Sequence, residues 1–482
     1  MIKEETLDPE DWGEMNALGH RMIEDMMYYL ETIRNQLYIP TTEESKKAIL
    51  TPLSNTGDGE EKVYQVFREH IIPHTVKKVR PDFWGVVQGT GSPFGMLTDM
   101  ILSGINHGSL GMMFINHHAI EWMKELLDYP EEAGGVFVSG GSEANFTGLA
   151  VARNTKAEID VKAEGMQGIT KKMTLYCSEE AHDCLDRSVE LLGLGNEALR
   201  WIPTNENHQM DVDLLEKEII LDREKGYHPF CVIGTAGTVH TGAFDDLNAV
   251  ADLCEKESLW FHIDGAFGSW VRLSESHKYL ADGFERADSV AVDLHKWMNM
   301  PYAIGCTLVR DRRAHFSTFV YGHDALYLKT GVTELGDALK SPLNLSLALS
   351  RPDLGGKAYM LLRAYGRDKY ARLIQQNIDQ IHYLAELIRK QPNLEISAPV
   401  VSNIVCFRYI HDGLNEADSE KLNRLILREL WKINFWMISD TTTKGRYMLR
   451  ACNVNHRTKY ADFDVLLERI INIAETLVQD FL

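Results

Sequence analysis

Five short stretches of this chain carry side chains able to do chemistry, and each follows directly on a β-prone run. Ser139-Gly140-Gly141-Ser142-Glu143-Ala144-Asn145 follows Val136–Val138 and opens a helical pattern. Gly and Ser at a helix N-terminus leave backbone N–H groups and the positive end of the dipole exposed, which suits a phosphate. Glu180-Ala181-His182 follows Thr174–Cys177 and brings an imidazole. Gly234-Thr235-Ala236-Gly237-Thr238 follows Phe230–Ile233 with two hydroxyls. Asp264-Gly265-Ala266 follows Trp260–Ile263, and Asp293-Leu294-His295-Lys296-Trp297 follows Ser289–Val292. Ligands of open α/β sheets bind at the carboxyl ends of the strands. One crevice therefore collects a phosphate cradle, an imidazole, two hydroxyls, two carboxylates and a lysine.

The elements that must position these groups can be read from the patterning. Seven short β-rich runs (the five above with Leu199–Ile202 and Cys306–Val309) alternate with amphipathic helical stretches from about Gly134 onward. That alternation predicts an α/β fold, with a mostly parallel seven-stranded sheet covered on both faces. Before it, Met15 to Ile33 and, more weakly, Glu61 to Ile72 show helical spacing. Pro40 to Gly59 between them reads as an extended connection. After it, Gly366 to Gln391 reads as a long helix. This leads to β-like runs at Ile404–Arg408 and Tyr447–Arg450 and a closing helix at Phe463–Leu477. The expected division is an N-terminal helical segment (1–85), a large α/β domain (86–365) and a small C-terminal α+β domain (366–482).

Composition narrows the partners. The 482 residues allow two or three domains at about 150 residues each. The net charge of −20 argues against nucleic acid and against an anionic membrane surface. No apolar run is long enough to span a bilayer, and the acidic N-terminus lacks the pattern of a signal peptide. Seven scattered cysteines without a CxxC read as reduced thiols of a cytoplasmic protein.

The run Ser-Val-Ala-Val-Asp-Leu-His-Lys-Trp (289–297), with Phe-His-Ile-Asp-Gly-Ala-Phe-Gly (261–268) upstream, resembles the group II pyridoxal-phosphate-dependent amino-acid decarboxylases. These include the aromatic-L-amino-acid, tyrosine and tryptophan decarboxylases. Gly-Gly-Ser-Glu-Ala, Glu-Ala-His and Gly-Thr-Ala-Gly-Thr also match, in the family's order, and the likeness runs from the N-terminal helices to the C-terminal domain. The resemblance implies the type I fold of pyridoxal-phosphate-dependent transferases, an intertwined homodimer, and pyridoxal 5′-phosphate as cofactor, an electron sink once its aldehyde forms a Schiff base. It implies Lys296 as the residue that forms this link, with burial expected to lower its pKa. It puts Asp264 on the pyridine nitrogen, Ala266 beneath the ring, His182 stacked above it and Thr238 on the Asp264 side. Gly141, Ser142 and His295 fall at the phosphate handle. The catalytic candidates are Lys296, Asp264 and His182, and no metal is expected.

Each residue also has an ordinary reading. A lysine after a strand is usually structural or solvated, and only its flanks His295 and Trp297 reverse that here. The loop Gly89-Thr90-Gly91-Ser92-Pro93-Phe94-Gly95 superficially resembles a nucleotide loop, but its glycine spacing is wrong. His117-His118 and Met112-Met113-Phe114 read as core or interface, although the resemblance places this stretch and Val87–Thr90 near the substrate pocket. Reading His262, Asp264 and His295 as ligands of a metallohydrolase would leave Lys296 without a task. Two departures from the family stand out. Asp293 replaces an asparagine common at the phosphate handle, where a carboxylate would repel the phosphate, so it is left out of the phosphate ligands. The stretch Thr330 to Arg351 contains no tyrosine, whereas family decarboxylases use a loop tyrosine to return a proton to the substrate carbon. Tyr321 and Tyr327 precede it at different positions. Decarboxylation to an amine is the leading activity, with oxidative deamination to an aldehyde or a polar or acidic substrate as alternatives. Phe83, Trp84 and Phe114 favour an aromatic substrate side chain, while Gln88 allows a polar one.

Overall fold

The structure is a computed structural model, and it describes residues 5–106, 110–320, 342–432 and 438–481. Seven strands form the larger sheet: β1 (Gly134–Val138), β2 (Met173–Ser178), β3 (Leu199–Ile202), β4 (His228–Thr235), β5 (Trp260–Asp264), β6 (Ser289–Asp293) and β7 (Gly305–Val309). Their order is β1-β7-β6-β5-β4-β2-β3. All neighbours pair in parallel except β7, which is antiparallel to both β1 and β6. β2, β5, β6 and β7 are buried along their whole length, as expected of strands covered on both faces. The seven runs read from the sequence are these seven strands, each extended at its ends by up to two residues.

The antiparallel exception has a local cause. β6 and β7 are joined by Leu294–Ile304 without a helix, and so short a connection cannot return a strand in parallel. His295 and Lys296 lie on this connection, at the carboxyl end of β6. The helix Gly141–Lys156 leaves the carboxyl end of β1. It packs tightly on β5, since a Cβ added at Gly148 would lie 2.7 Å from the His262 ring.

A second, antiparallel sheet has the order β10-β11-β9-β8, from β8 (Leu394–Ile396), β9 (Ile404–Tyr409), β10 (Ser439–Thr443) and β11 (Arg446–Cys452). The helices Glu416–Lys432 and Tyr460–Leu477 accompany it. The sequence reading has β9, β11 and the closing helix but lacks β8 and β10. β10 turns into β11 through Lys444-Gly445, both at positive φ, as a two-residue hairpin turn requires.

Two helical expectations need correction. The long helix spans Leu354–Arg389, beginning twelve residues before Gly366, because Asp353 caps it by accepting from the Gly356 N–H at 2.8 Å. Gly366 itself, at φ 71°, interrupts the helix. Pro40 to Gly59 is not wholly extended, since it contains the helix Glu43–Ile49. Thr42 caps that helix, with glutamates in its first turn and lysines in its last, the favourable arrangement for the dipole. The expected N-terminal helices are Trp12–Glu31 and Glu60–His70. They bury little: Leu18 is the buried residue of the first, whereas Trp12, Met22, Tyr28, Val63 and Phe67 are exposed.

Candidate active site

Backbone hydrogen bonds staple the carboxyl ends of β4, β5 and β6 together. The Ala236 N–H donates to Asp264 O (2.9 Å), Gly265 N–H to Ala291 O (3.0 Å) and Asp293 N–H to Ala266 O (3.1 Å). Asp245 accepts from the Thr235 N–H at 2.8 Å and the Met210 N–H at 2.7 Å, fixing the start of the Thr-Ala-Gly-Thr turn. Burial pushes the Asp245 carboxyl up to about 6, against these two bonds. The sequence offered no signal for it.

Lys296 projects into this frame. Its Nζ lies 2.9 Å from Asp293 Oδ2, and 22% of its side-chain surface is open. Burial alone draws an ammonium group down, as expected from the sequence. Asp293, Asp264 and the hydrogen bond to Asp293 outweigh it, so the Lys296 pKa is raised. The expectation of a lowered value is therefore corrected for the chain without cofactor. Asp264 is buried, and its Oδ1 accepts from the Ala266 N–H at 3.1 Å.

Across the crevice stands the N-terminus of the helix Gly141–Lys156. A Cβ added at Gly141 would fall 2.8 Å from Asp293 Oδ2 and 2.9 Å from the Ala266 Cβ. Gly141, Ala266, Asp293 and Lys296 thus share one small volume, and Ser142 is exposed beside them. His295 is buried. Its Nδ1 lies 2.9 Å from Ile304 O, and its ring is 4.1 Å from that of Tyr302. Burial lowers the His295 pKa despite the nearby Asp293. His182 is exposed on the same sheet edge, accepting from the Cys184 N–H at 3.0 Å. Thr238 is engaged in its own turn, with its Oγ1 3.1 Å from Thr241 Oγ1 and accepting from the Ala243 N–H at 3.2 Å.

Several positioning residues escaped the sequence reading. The Gly89 N–H donates to His295 O at 3.1 Å, and a Cβ there would meet Lys296 O at 2.2 Å and His295 O at 2.4 Å. Glycine at this position therefore lets the loop lie against the lysine-bearing turn, in keeping with the reading that it is not a nucleotide loop. Asn299, at φ 52°, accepts from the Thr90 N–H (2.8 Å) and donates to Trp297 O and Val454 O. Trp84 is removed from the pocket candidates: it is fully buried, stacks on Phe463 at 4.4 Å and donates to Thr458. Phe83 and Gln88 are half-buried, and Phe114 is 65% exposed.

His262 has both ring nitrogens engaged, Nδ1 with Ser289 Oγ (2.7 Å) and Nε2 with Asn145 Oδ1 (2.9 Å). Burial pushes its pKa down to about 4, so it is neutral and committed to the core rather than free for a metal. Of the tyrosine-free stretch 330–351, residues 330–341 lie outside the described residues, as do Tyr321 and Tyr327. In the remainder, Leu345 O sits 2.7 Å from His315 Nε2.

The comparisons with known proteins decide the family. Residues 43–410 match the pyridoxal-dependent decarboxylase conserved domain. The chain belongs to this family. It is an enzyme, a pyridoxal-phosphate-dependent amino-acid decarboxylase and so a carboxy-lyase. It is 29% identical over 471 residues to an aromatic-L-amino-acid decarboxylase of Bacillus atrophaeus, covering 96% of each chain. It is also 29% identical over 393 residues to a cysteine sulfinic acid decarboxylase of Mus musculus, covering 77% of this chain and 76% of the other. The solved structure of Oryza sativa TDC with PLP and tryptamine superposes with a TM-score of 0.90 at 22% identity, covering 98% of this chain and 100% of that one. This likeness establishes the type I fold.

The residues present fit the family's cofactor. Lys296, paired with Asp293, lies beside a helix N-terminus that begins at Gly141, where backbone N–H groups suit a phosphate and the amine suits an aldehyde. Among the described residues, no helix is long and apolar enough to cross a membrane.

Proposed function

We propose that this enzyme removes the α-carboxylate of an L-amino acid with an aromatic side chain, giving the amine and CO2. The observation carrying this reading is Lys296 Nζ paired with Asp293 at the end of β6 and under the electrostatic influence of Asp264 at the end of β5, with Gly141 against the same carboxylate. Pyridoxal phosphate supplies an electron sink for the pair left when CO2 departs. Lys296 would hold the aldehyde carbon through Nζ and yield it to the substrate amine. Asp264, buried and fixed by the Ala266 N–H, would keep a proton on the pyridine nitrogen. Gly141, Ser142 and His295 would hold the phosphate, Ala266 would lie under the ring, and His182 and Thr238 would flank it. His182, exposed on the open side, is a candidate to deliver the final proton. The preference for an aromatic side chain is supported by Phe83 and Phe114 and by the name of the Bacillus atrophaeus relative.

The tyrosine-free stretch 330–351 supports a second reading. Without that donor, the electron-rich carbon can be oxidised by O2, so that aldehyde, ammonia and hydrogen peroxide replace the amine. Incubating the protein with the twenty amino acids and with cysteine sulfinate, while following CO2, amine and peroxide together, separates these readings. CO2 and amine in equal amounts from an aromatic substrate is the expected result, and stoichiometric peroxide overturns the amine product. Borohydride reduction and peptide mapping should find the cofactor on Lys296. We infer further that a second copy of the chain covers the exposed apolar faces of Trp12–Glu31 and Glu60–His70, which light scattering of the full-length protein tests.

A further inference from the structure

The strand β10 reads Ser-Asp-Thr-Thr-Thr (439–443), and its pleat sends Thr441 and Thr443 inward while Asp440 and Thr442 stay exposed. Both inward hydroxyls meet the large domain. Thr443 Oγ1 donates to Glu180 Oε1, and Thr441 Oγ1 lies 2.8 Å from His240 Nδ1. The hairpin adds two bonds in the same direction: Lys444 Nζ donates to Asn205 O at 2.6 Å, and Arg450 Nε to His240 O at 3.1 Å. One hairpin of the small sheet is thereby seated on the turns that leave the carboxyl ends of β2, β3 and β4.

Glu180 is the buried end of this contact. It is 5% exposed, and burial works to raise its pKa, but its bonds to His208 and Thr443 outweigh that and the value is lowered. The acceptor is therefore ionised at neutral pH, and hydrogen bonds to an ionised oxygen are about twice as strong as uncharged ones. His208 Nδ1, from the turn after β3, lies 3.3 Å from the same Oε1. Oε2 has no hydrogen-bond partner among the described residues, so Oε1 carries the contact.

The two gripped residues stand in the same relation to the site. Glu180 comes two residues before His182, and His240 two residues after Thr238. His182 is fixed from its other side by the Cys184 N–H, and Thr238 by Thr241 and the Ala243 N–H. Each turn is thus closed locally and held from outside by one threonine of β10.

We propose that Thr443 and Thr441 are positioning residues of the active site: through Glu180 and His240 they set the two turns, and so hold His182 and Thr238 at the cofactor from the small domain. The proposal rests on the assignment of His182 and Thr238 to the flanks of the ring made above.

Thr443→Val removes the hydroxyl at nearly constant shape, Thr443→Ser restores it, and Thr442→Val, on the exposed face of the same strand, is the control. Hydrogen exchange is followed first, in the full-length protein without pyridoxal phosphate. Thr443→Val should speed exchange in residues 179–185 by about tenfold, the worth of one hydrogen bond to a charged group, with Thr443→Ser and Thr442→Val near wild type. An unchanged turn, or an equal rise throughout both domains, overturns the proposal. Should Thr443→Val not fold, Thr441→Val makes the same test at residues 237–242, where its partner His240 is only half-buried.

With pyridoxal phosphate bound, CO2 release from the aromatic L-amino acid used fastest gives the second readout. Thr443→Val should lower kcat by about tenfold with KM within about threefold of wild type. In a His182→Ala background it should lower kcat by no more than about twofold, since a residue acting through His182 has nothing left to position. Equal losses in the two backgrounds mark a purely structural threonine and overturn the proposal. Full activity of His182→Ala overturns the role of His182 and the proposal with it. If no aromatic amino acid yields CO2, the substrate class alone fails, and the exchange result decides the proposal.

Discussion

Gly89→Ala tests how closely the substrate-side loop is fitted to the lysine turn. The added Cβ would lie 2.2 Å from Lys296 O, 2.4 Å from His295 O and 3.1 Å from the Asn299 Cα, all backbone atoms that no side-chain rotation can remove. Restoring ordinary contact requires the loop and the turn to part by about 1 Å, and overpacking of this kind costs about 1–3 kcal/mol. The hydrogen bond from the Gly89 N–H to His295 O is strained at the same time, a loss of about 1 kcal/mol. A 1 Å displacement of a reacting group lowers turnover by about a hundredfold, so kcat/KM should fall by about that factor. The fraction of chains labelled by borohydride should fall with it. Gly104→Ala is the control: it lies in the exposed part of the helix Pro93–Ile105, has nothing within 4 Å, and should stabilise by up to about 1 kcal/mol. If Gly89→Ala keeps kcat/KM within about threefold of wild type with full labelling, the close approach of the loop is not a requirement of the site.

Acid should destabilise the fold in a definite window. His262, His315 and His456 are each pushed down to about 4 by burial, so unfolding between about pH 4 and 6.5 lets each take up a proton, at ~3 kcal/mol apiece by the acid end. Asp245, pushed up to about 6, holds a proton in the fold over much of the same range and offsets one of the three. These four groups together contribute a net slope of about two protons to denaturant unfolding, and a pH-independent stability across the window would contradict it. Trp84→Ala should cost about 3–5 kcal/mol in thermal or chemical unfolding through loss of its stack on Phe463, because Trp84 is core rather than pocket. Asp264→Asn should still take the cofactor, seen by its absorbance, yet lose turnover by orders of magnitude; retention of most activity would remove Asp264 from the electron-sink role.

What could be read from the sequence followed from geometry that repeats. Parallel strands buried on both faces are continuous apolar runs, and β4, β5 and β6 each end on the polar residues that face the crevice, so strand and site were found by the same signal. β10 was missed because Ser439–Thr443 is a polar edge strand with alternate residues in solvent. Its turn, Lys444-Gly445, carried the stronger signal. Trp84 was misplaced because an aromatic residue beside the substrate loop is equally suited to a neighbouring core, and only the three-dimensional position of Phe463 distinguishes them. Gly89 lies in a run whose glycine spacing argues against a phosphate loop, and only the carbonyls of the lysine-bearing turn show why a glycine is needed there.

The raised pKa of Lys296 shows why charge balance at this site could not be read residue by residue. Burial was expected to make the amine more reactive, and considered alone it does. Two carboxylates act on one amine here and hold its proton, beside a helix N-terminus that suits an anion. Before the cofactor arrives the amine is held by Asp293, so it is not the free base that burial alone would give. An asparagine at position 293 would leave Lys296 with Asp264 as its one carboxylate neighbour. The aspartate therefore holds the amine through a 2.9 Å ion pair that an asparagine would not make.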